Sequence, residues 1–95
     1  MSDVGVKHDN EKIRFDLIPP EAEEALAEVL TMGAKKYGDR NWENGIDNDR
    51  LLGALRRHLN AWQQGEVIDP ESGKSHLDHV LCNAAFLVTF ERRRG

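Results

Sequence analysis

Along the chain, apolar residues recur first at alternate positions and then at helical spacing. In KIRFDLIPP, Ile13, Phe15 and Leu17 alternate with other residues, a period that predicts a short docked strand within an extended N-terminal arm, residues 1–20. Pro19 and Pro20 end the arm and set the entry to a helix. From Glu21 to Lys36 the spacing places Ala22, Leu26, Val29, Leu30, Gly33 and Tyr37 on one face, with Glu21, Glu24 and Glu28 on the wet side. Gly38 then permits a left-handed cap. GDRNWENGIDN reads as a loop in which Trp42 either pins the loop down or stacks on a planar ligand.

A second helix is predicted from Asp49 to Gln64, with Leu51, Leu52, Leu55, Leu59 and Trp62 on its apolar face and His58 beside that face. Gly65 ends it, and Pro70 and Gly73 shape the next turn. The last helix starts at an N-cap Ser75, which stands in capping-box relation to Asp78, and runs to about Glu91. It carries Leu77, Leu81, Ala84 and Val88 on one side and His76, His79, Asn83, Phe86 and Phe90 on the other, so it should be sandwiched between neighbours. The fold class is therefore all-α, with residues 21–95 as one small helical domain.

Charge narrows the partners. Thirteen basic against seventeen acidic residues give −4, which argues against a cationic groove for duplex nucleic acid but not against a nucleotide held by local cations and a metal. Cys82 is the only cysteine, and no segment has the apolar length of a membrane span or signal peptide, so a cytoplasmic protein without membrane contact is expected.

Candidate chemistry gathers in the second half. His76 and His79 share a helical face, as metal-ligating imidazoles would, and Asn83 extends it by a turn. The plainer alternative is one buried, hydrogen-bonded histidine and one surface histidine. Glu66 and Asp69 bring two carboxylates just upstream, suited to Mg²⁺ or Mn²⁺, although Asp69 before Pro70 also fits an Asx turn. His58 can converge on the same place. Basic residues lie at Lys7, Lys12 and Arg14, at Lys35, Lys36 and Arg40, and at Arg56 and Arg57, without a phosphate-cradling glycine loop. Metal-assisted attack of water on a phosphoanhydride, with a carboxylate or histidine taking the proton, is the most economical chemistry for such a set.

Four blocks together carry a family resemblance: K-x-R-x-D-L-x-P-P from Lys12, G-A-K-K-Y-G-x-R-N-W from Gly33, R-H-L-N-A-W-x-x-G-E-x-x-D-P-E-S-G from Arg57 and H-L-D-H-V-L-C-N from His76. The chain resembles the phage-associated dATP/dGTP diphosphohydrolases, distantly similar to MazG-type all-α pyrophosphohydrolases. The resemblance implies a small MazG-like helical bundle, assembled as a homodimer or homotetramer and working in the host cytoplasm. It implies hydrolysis of a deoxypurine nucleoside triphosphate to monophosphate and pyrophosphate with Mg²⁺ or Mn²⁺. Glu66, Asp69, His76 and His79 are then the expected metal ligands, His76 and His79 standing where MazG carries E-x-x-D, and Glu66, Asp69 and His58 the expected catalytic groups. Lys12 and Arg14 would contact phosphate and Asn41 and Trp42 would frame the base. Lys35, Lys36, Arg57 and Asn83, in the same blocks, complete the substrate-binding candidates. The alternatives are an HD-like metal phosphohydrolase and a helical interaction protein without catalysis.

Overall fold

A computed structural model describes residues 11–94 as a three-helix bundle: α1 (Pro20–Tyr37), α2 (Asn48–Gln63) and α3 (His76–Arg94). The principal packing is α2 against α3, and α1 leans on α3 beside them. Among the described residues there is no strand, only an isolated antiparallel bridge between Ile68 and Ser75.

The helix ends follow the local chemistry. Pro20 occupies the first turn of α1, where a missing N–H costs nothing, and Glu21 and Glu23 face the positive end of the dipole while Lys35 and Lys36 sit at the negative end. Gly38, at φ 98°, turns the chain out of α1 and donates its N–H to the Ala34 carbonyl at 2.8 Å. At the end of α2, Gly65 adopts φ 100°; its N–H reaches the Trp62 carbonyl and the Glu66 N–H the Ala61 carbonyl, both at 3.0 Å. This is a Schellman cap, and it fixes Glu66 against the last turn of α2. Ser75 caps α3 as expected, but its hydroxyl accepts the Leu77 N–H at 3.2 Å, one position earlier than in a capping box.

Two expectations are corrected. Phe15–Leu17 forms a 3-10 turn, not a docked strand. With no neighbouring strand to pair with, the backbone closes on itself, and the Arg14 guanidinium grips Asp16 two residues on at 2.9 and 2.7 Å. Ile13, Phe15 and Leu17 are left 82%, 73% and 68% exposed. The far side of α3 is likewise not sandwiched: Leu77 and Val88 are exposed, while Cys82 and His76 are buried toward the other helices. The apolar periodicity holds, but among the described residues the second face is only partly covered, with Leu81 and Ala84 half-buried. Lys7 lies outside the described residues.

The 38–48 loop is pinned by aromatics. Trp42, in the 3-10 turn Asn41–Asn44, stacks on Phe86 at 5.4 Å between ring centres and tilts against Phe90 at 6.1 Å. The Arg93 guanidinium lies 5.0 Å from the Trp42 ring centre and its Nη2 is 3.7 Å from Glu43 Oε1, so the end of α3 holds the same loop. Among the described residues, no helix is long and apolar enough to cross a membrane.

Candidate functional site: a histidine and carboxylate cluster and a neighbouring groove

The packing of α2 on α3 brings His58 to His76 and His79, and the 64–75 connection carries Glu66 and Asp69 to the same place. The bridge at Ile68 and Ser75, with Asp69 N–H to the Lys74 carbonyl and His76 N–H to the Val67 carbonyl, each 2.8 Å, draws this connection into a tight loop over the first turn of α3. Glu66 Oε1 then lies 2.7 Å from His76 Nε2, and His76 Nδ1 lies 2.8 Å from His58 Nδ1. His79 stacks on His58 with ring centres 4.5 Å apart and planes 15° from parallel. Its Nε2 is 2.7 Å from Ser72 Oγ, and Ser72 Oγ is 2.9 Å from Asp69 Oδ2.

An ionised carboxylate only accepts, so His76 Nε2 donates to Glu66. With no proton on His76 Nδ1, that nitrogen accepts Nδ1–H from His58, and the free lone pair of His58 is then on Nε2. By the same logic Ser72 donates its hydroxyl to Asp69 and accepts Nε2–H from His79 as well as the Lys74 N–H at 3.2 Å. Ser72 is saturated and serves as a bracket. Sequence reasoning missed it; its signal was the i, i+3 spacing from Asp69.

Electrostatics agree with this assignment. Removal from water, together with the neighbouring His79, His76 and Arg57, pushes the His58 imidazolium below its ordinary 6.5 against the opposing pull of Asp69, so His58 is neutral near pH 7. Asp69 is partly withdrawn from water, which alone would raise it. Hydrogen bonds from the Glu71 N–H and Ser72 hydroxyl, with the nearby His58 and His79, hold it below 3.8. The Glu71 N–H bond at 3.1 Å is the Asx turn that the sequence allowed.

The donor set, three imidazoles and two carboxylates, is of a kind divalent ions take. Its arrangement is a hydrogen-bonded network and not a cage. Among the described residues, no three His, Cys, Asp or Glu side chains are placed to hold one ion. His76 has both ring nitrogens engaged, and the Asp69 carboxylate is 3.6 Å from His79 Nε2, which already bonds Ser72.

Beside the cluster opens a groove of about 980 Å³ between α1, α2, α3 and the 38–48 loop. Asn41, Trp42, Arg57 and Asn83, all substrate-binding candidates, line it. Asn83 donates to the His79 carbonyl at 2.8 Å and so joins the groove to the cluster. Lys35 and Lys36 sit exposed at the end of α1 outside this lining, Lys36 5.2 Å from the Tyr37 ring centre, and Lys12 and Arg14 also lie outside it in the arm. Arg50, which no sequence motif singled out, lines the groove from the first turns of α2. A smaller cavity of about 450 Å³ is lined by Gly45–Asn48 and Phe90, and no cluster residue lines either it or the groove.

The acidic stripe of α1 is a wet face: Glu21, Glu24 and Glu28 are exposed, and Glu28 meets Lys74 at 3.4 Å.

Comparison with known proteins agrees with the residues. The family profile described as "dATP/dGTP diphosphohydrolase, N-terminal" matches residues 2–95. A dATP/dGTP diphosphohydrolase of Salmonella phage PMBT28 is 36% identical over 83 residues, which span 87% of this chain and 28% of the phage protein. No solved structure matches. On the profile match over nearly its whole length, the chain belongs to the dATP/dGTP diphosphohydrolase N-terminal family.

Proposed function

We propose that this domain hydrolyses deoxypurine nucleoside triphosphates, dATP or dGTP, to the monophosphate and pyrophosphate, with the Glu66–His76–His58 relay at its centre. The observation that carries the reading is that relay, 2.7 and 2.8 Å long, joined through Arg57 and the Asn83–His79 hydrogen bond to a groove able to admit a nucleotide. Glu66 orients His76, His76 orients His58, and an unengaged Nε2 lone pair on a neutral imidazole is what a general base requires. His58 Nε2 takes a proton from water as the water oxygen bonds phosphorus; the bond from phosphorus to the α–β bridging oxygen breaks, and pyrophosphate leaves. Arg57 and Asn83 flank the reacting phosphates, and Asn41 and Trp42 frame the base. Lys12, Arg14, Lys35 and Lys36 are kept as outer phosphate contacts.

A divalent cation, Mg²⁺ or Mn²⁺, belongs to the reading as the partner of the triphosphate, whose charge it neutralises. Glu66, Asp69, His76 and His79 are the proposed ligands, and His76 and His79 would have to exchange a hydrogen bond for the ion. Assembly as a homodimer or homotetramer also belongs to it, supported by the apolar side chains left exposed at Phe15, Leu77 and Val88. A cytoplasmic setting suits the single buried thiol.

The test is product identification by phosphorus NMR for dATP, dGTP, dCTP and dTTP with Mg²⁺ or Mn²⁺. Monophosphate and pyrophosphate from the purines are expected. Stepwise orthophosphate would favour an HD-like phosphohydrolase, and four intact triphosphates a non-catalytic helical protein.

A further inference from the structure

The three glycines of the groove wall in α1 and the 38–48 loop do not have the same explanation. Gly38 and Gly45 have φ of 98° and 99°, which side chains resist. Gly33 is in the interior of α1, outside the positive-φ set, and a Cβ built on it meets nothing within 4 Å. Glycine destabilises a helix interior relative to alanine, so this position carries a cost that neither backbone nor packing accounts for. Gly53 in α2 makes the contrast: a Cβ there would meet the Arg57 guanidinium at 3.4 Å, an ordinary van der Waals contact.

We infer that the bare backbone at Gly33 is the floor of the nucleoside pocket, against which the purine and deoxyribose of the substrate lie. Three observations point to that occupant. The groove volume of about 980 Å³ is at the upper end of the roughly 300–1,000 Å³ typical of small-molecule sites. Its walls are apolar and aromatic near Tyr37, Trp42 and Phe86, as a planar base needs. Its rim carries Arg40, Arg50 and Arg57, and among the described residues none of these makes an ion pair, although the chain is acidic overall. Arg40 is moreover the described non-glycine residue with positive φ, 52°, a backbone cost met at ligand-facing positions. Asp39 and Asp47 share the lining and offer acceptors to the amino and imino groups of a purine. Seen this way, Gly33 sets specificity by size, since any side chain there occupies the volume of the base.

The inference rests on the nucleotide reading above, and its test separates the two. Gly33→Ala and Gly33→Leu are titrated with dGMP by calorimetry, beside thermal melting, sedimentation and dGTP turnover. Gly33→Ala should raise the melting temperature by about 2–8 °C, as removal of a helix glycine does when nothing clashes. Gly33→Leu should weaken dGMP by about 10–100-fold, the cost of overfilling a site, with Gly33→Ala between it and wild type. No dGMP binding by wild type, or equal affinity in Gly33→Leu, overturns the inference. So does a change in sedimentation with dGMP affinity intact, because Gly33 would then seat a second copy of the chain. If binding falls as expected while wild type leaves dGTP uncleaved, the groove stands and the hydrolysis reading fails. If wild type cleaves dGTP and Gly33→Leu keeps its KM, the groove assignment fails alone.

Discussion

The histidine cluster and the groove beside it differ in how complete they are. In the cluster almost every polar atom is spent: His76 uses both ring nitrogens, Ser72 donates once and accepts twice, and Asp69 takes a backbone and a hydroxyl donor. In the groove, among the described residues, Arg40, Arg50 and Arg57 make no ion pair and the Gly33 backbone is bare. One region is already organised by the chain itself. The other is organised for something that arrives. Such a division suits catalysis, because groups that need no rearrangement at the moment of reaction lower the barrier, whereas a binding surface must stay unsatisfied until ligand fills it.

The comparison breaks most decisively at His58. His58→Ala leaves Glu66 and His76 without a base to orient, and kcat for dGTP should fall about 10²–10⁴-fold, the usual contribution of a general base. KM should change little, while the melting temperature should fall by about 4 °C or more because buried His76 loses its Nδ1 partner, which steady-state kinetics and calorimetry will check. Arg57→Ala acts on the binding side: losing a charged contact to phosphate, worth about 1.5–3 kcal/mol, should raise KM by about 10–100-fold while the thermal midpoint stays near wild type.

Smaller effects follow from titration. His58 is depressed in the folded state, so the unfolded chain binds its proton more readily. The stability it contributes is full above pH 6.5 and is lost as pH falls below that value through the folded pKa. Asp69, also depressed, has the same sign in a lower window, beginning near pH 3.8. Urea midpoints should therefore be level from pH 7 to 8 and decline in acid, with the first decline absent in His58→Ala. Cys82 should give the smallest signal. Burial raises its thiol to about 11, so iodoacetamide at pH 8 should modify it only when the protein is unfolded, as mass spectrometry would show.

Much of this was legible in the sequence where chemistry is local. The helices followed from 3.6-residue periodicity and from Gly38 and Gly65 at their ends, and the i, i+3 pair His76 and His79 marked the cluster. What the sequence hid depends on distance across the chain. The contact of His58 with His76 joins residues in different helices, and the hydrogen-bond roles that follow from it need the three-dimensional geometry. The arm misled because alternation describes a strand only when a partner strand exists, and here a turn and the Arg14–Asp16 fork satisfy the chain instead. The exposed side of α3 misled for the related reason that an apolar face predicts a neighbour without saying which molecule supplies it.

The central claim is that His58, kept neutral chiefly by its removal from water and oriented by Glu66 and His76, is the base, and the pH profile of kcat/KM for dGTP tests it most directly. The terminal phosphate of dGTP itself titrates near pH 6, so wild type must be compared with His58→Ala and Glu66→Gln. Wild type should show an acid limb with a component centred below 6.5, absent in His58→Ala, with the plateau lowered but the limb retained in Glu66→Gln. An identical limb and plateau in wild type and His58→Ala would contradict the account.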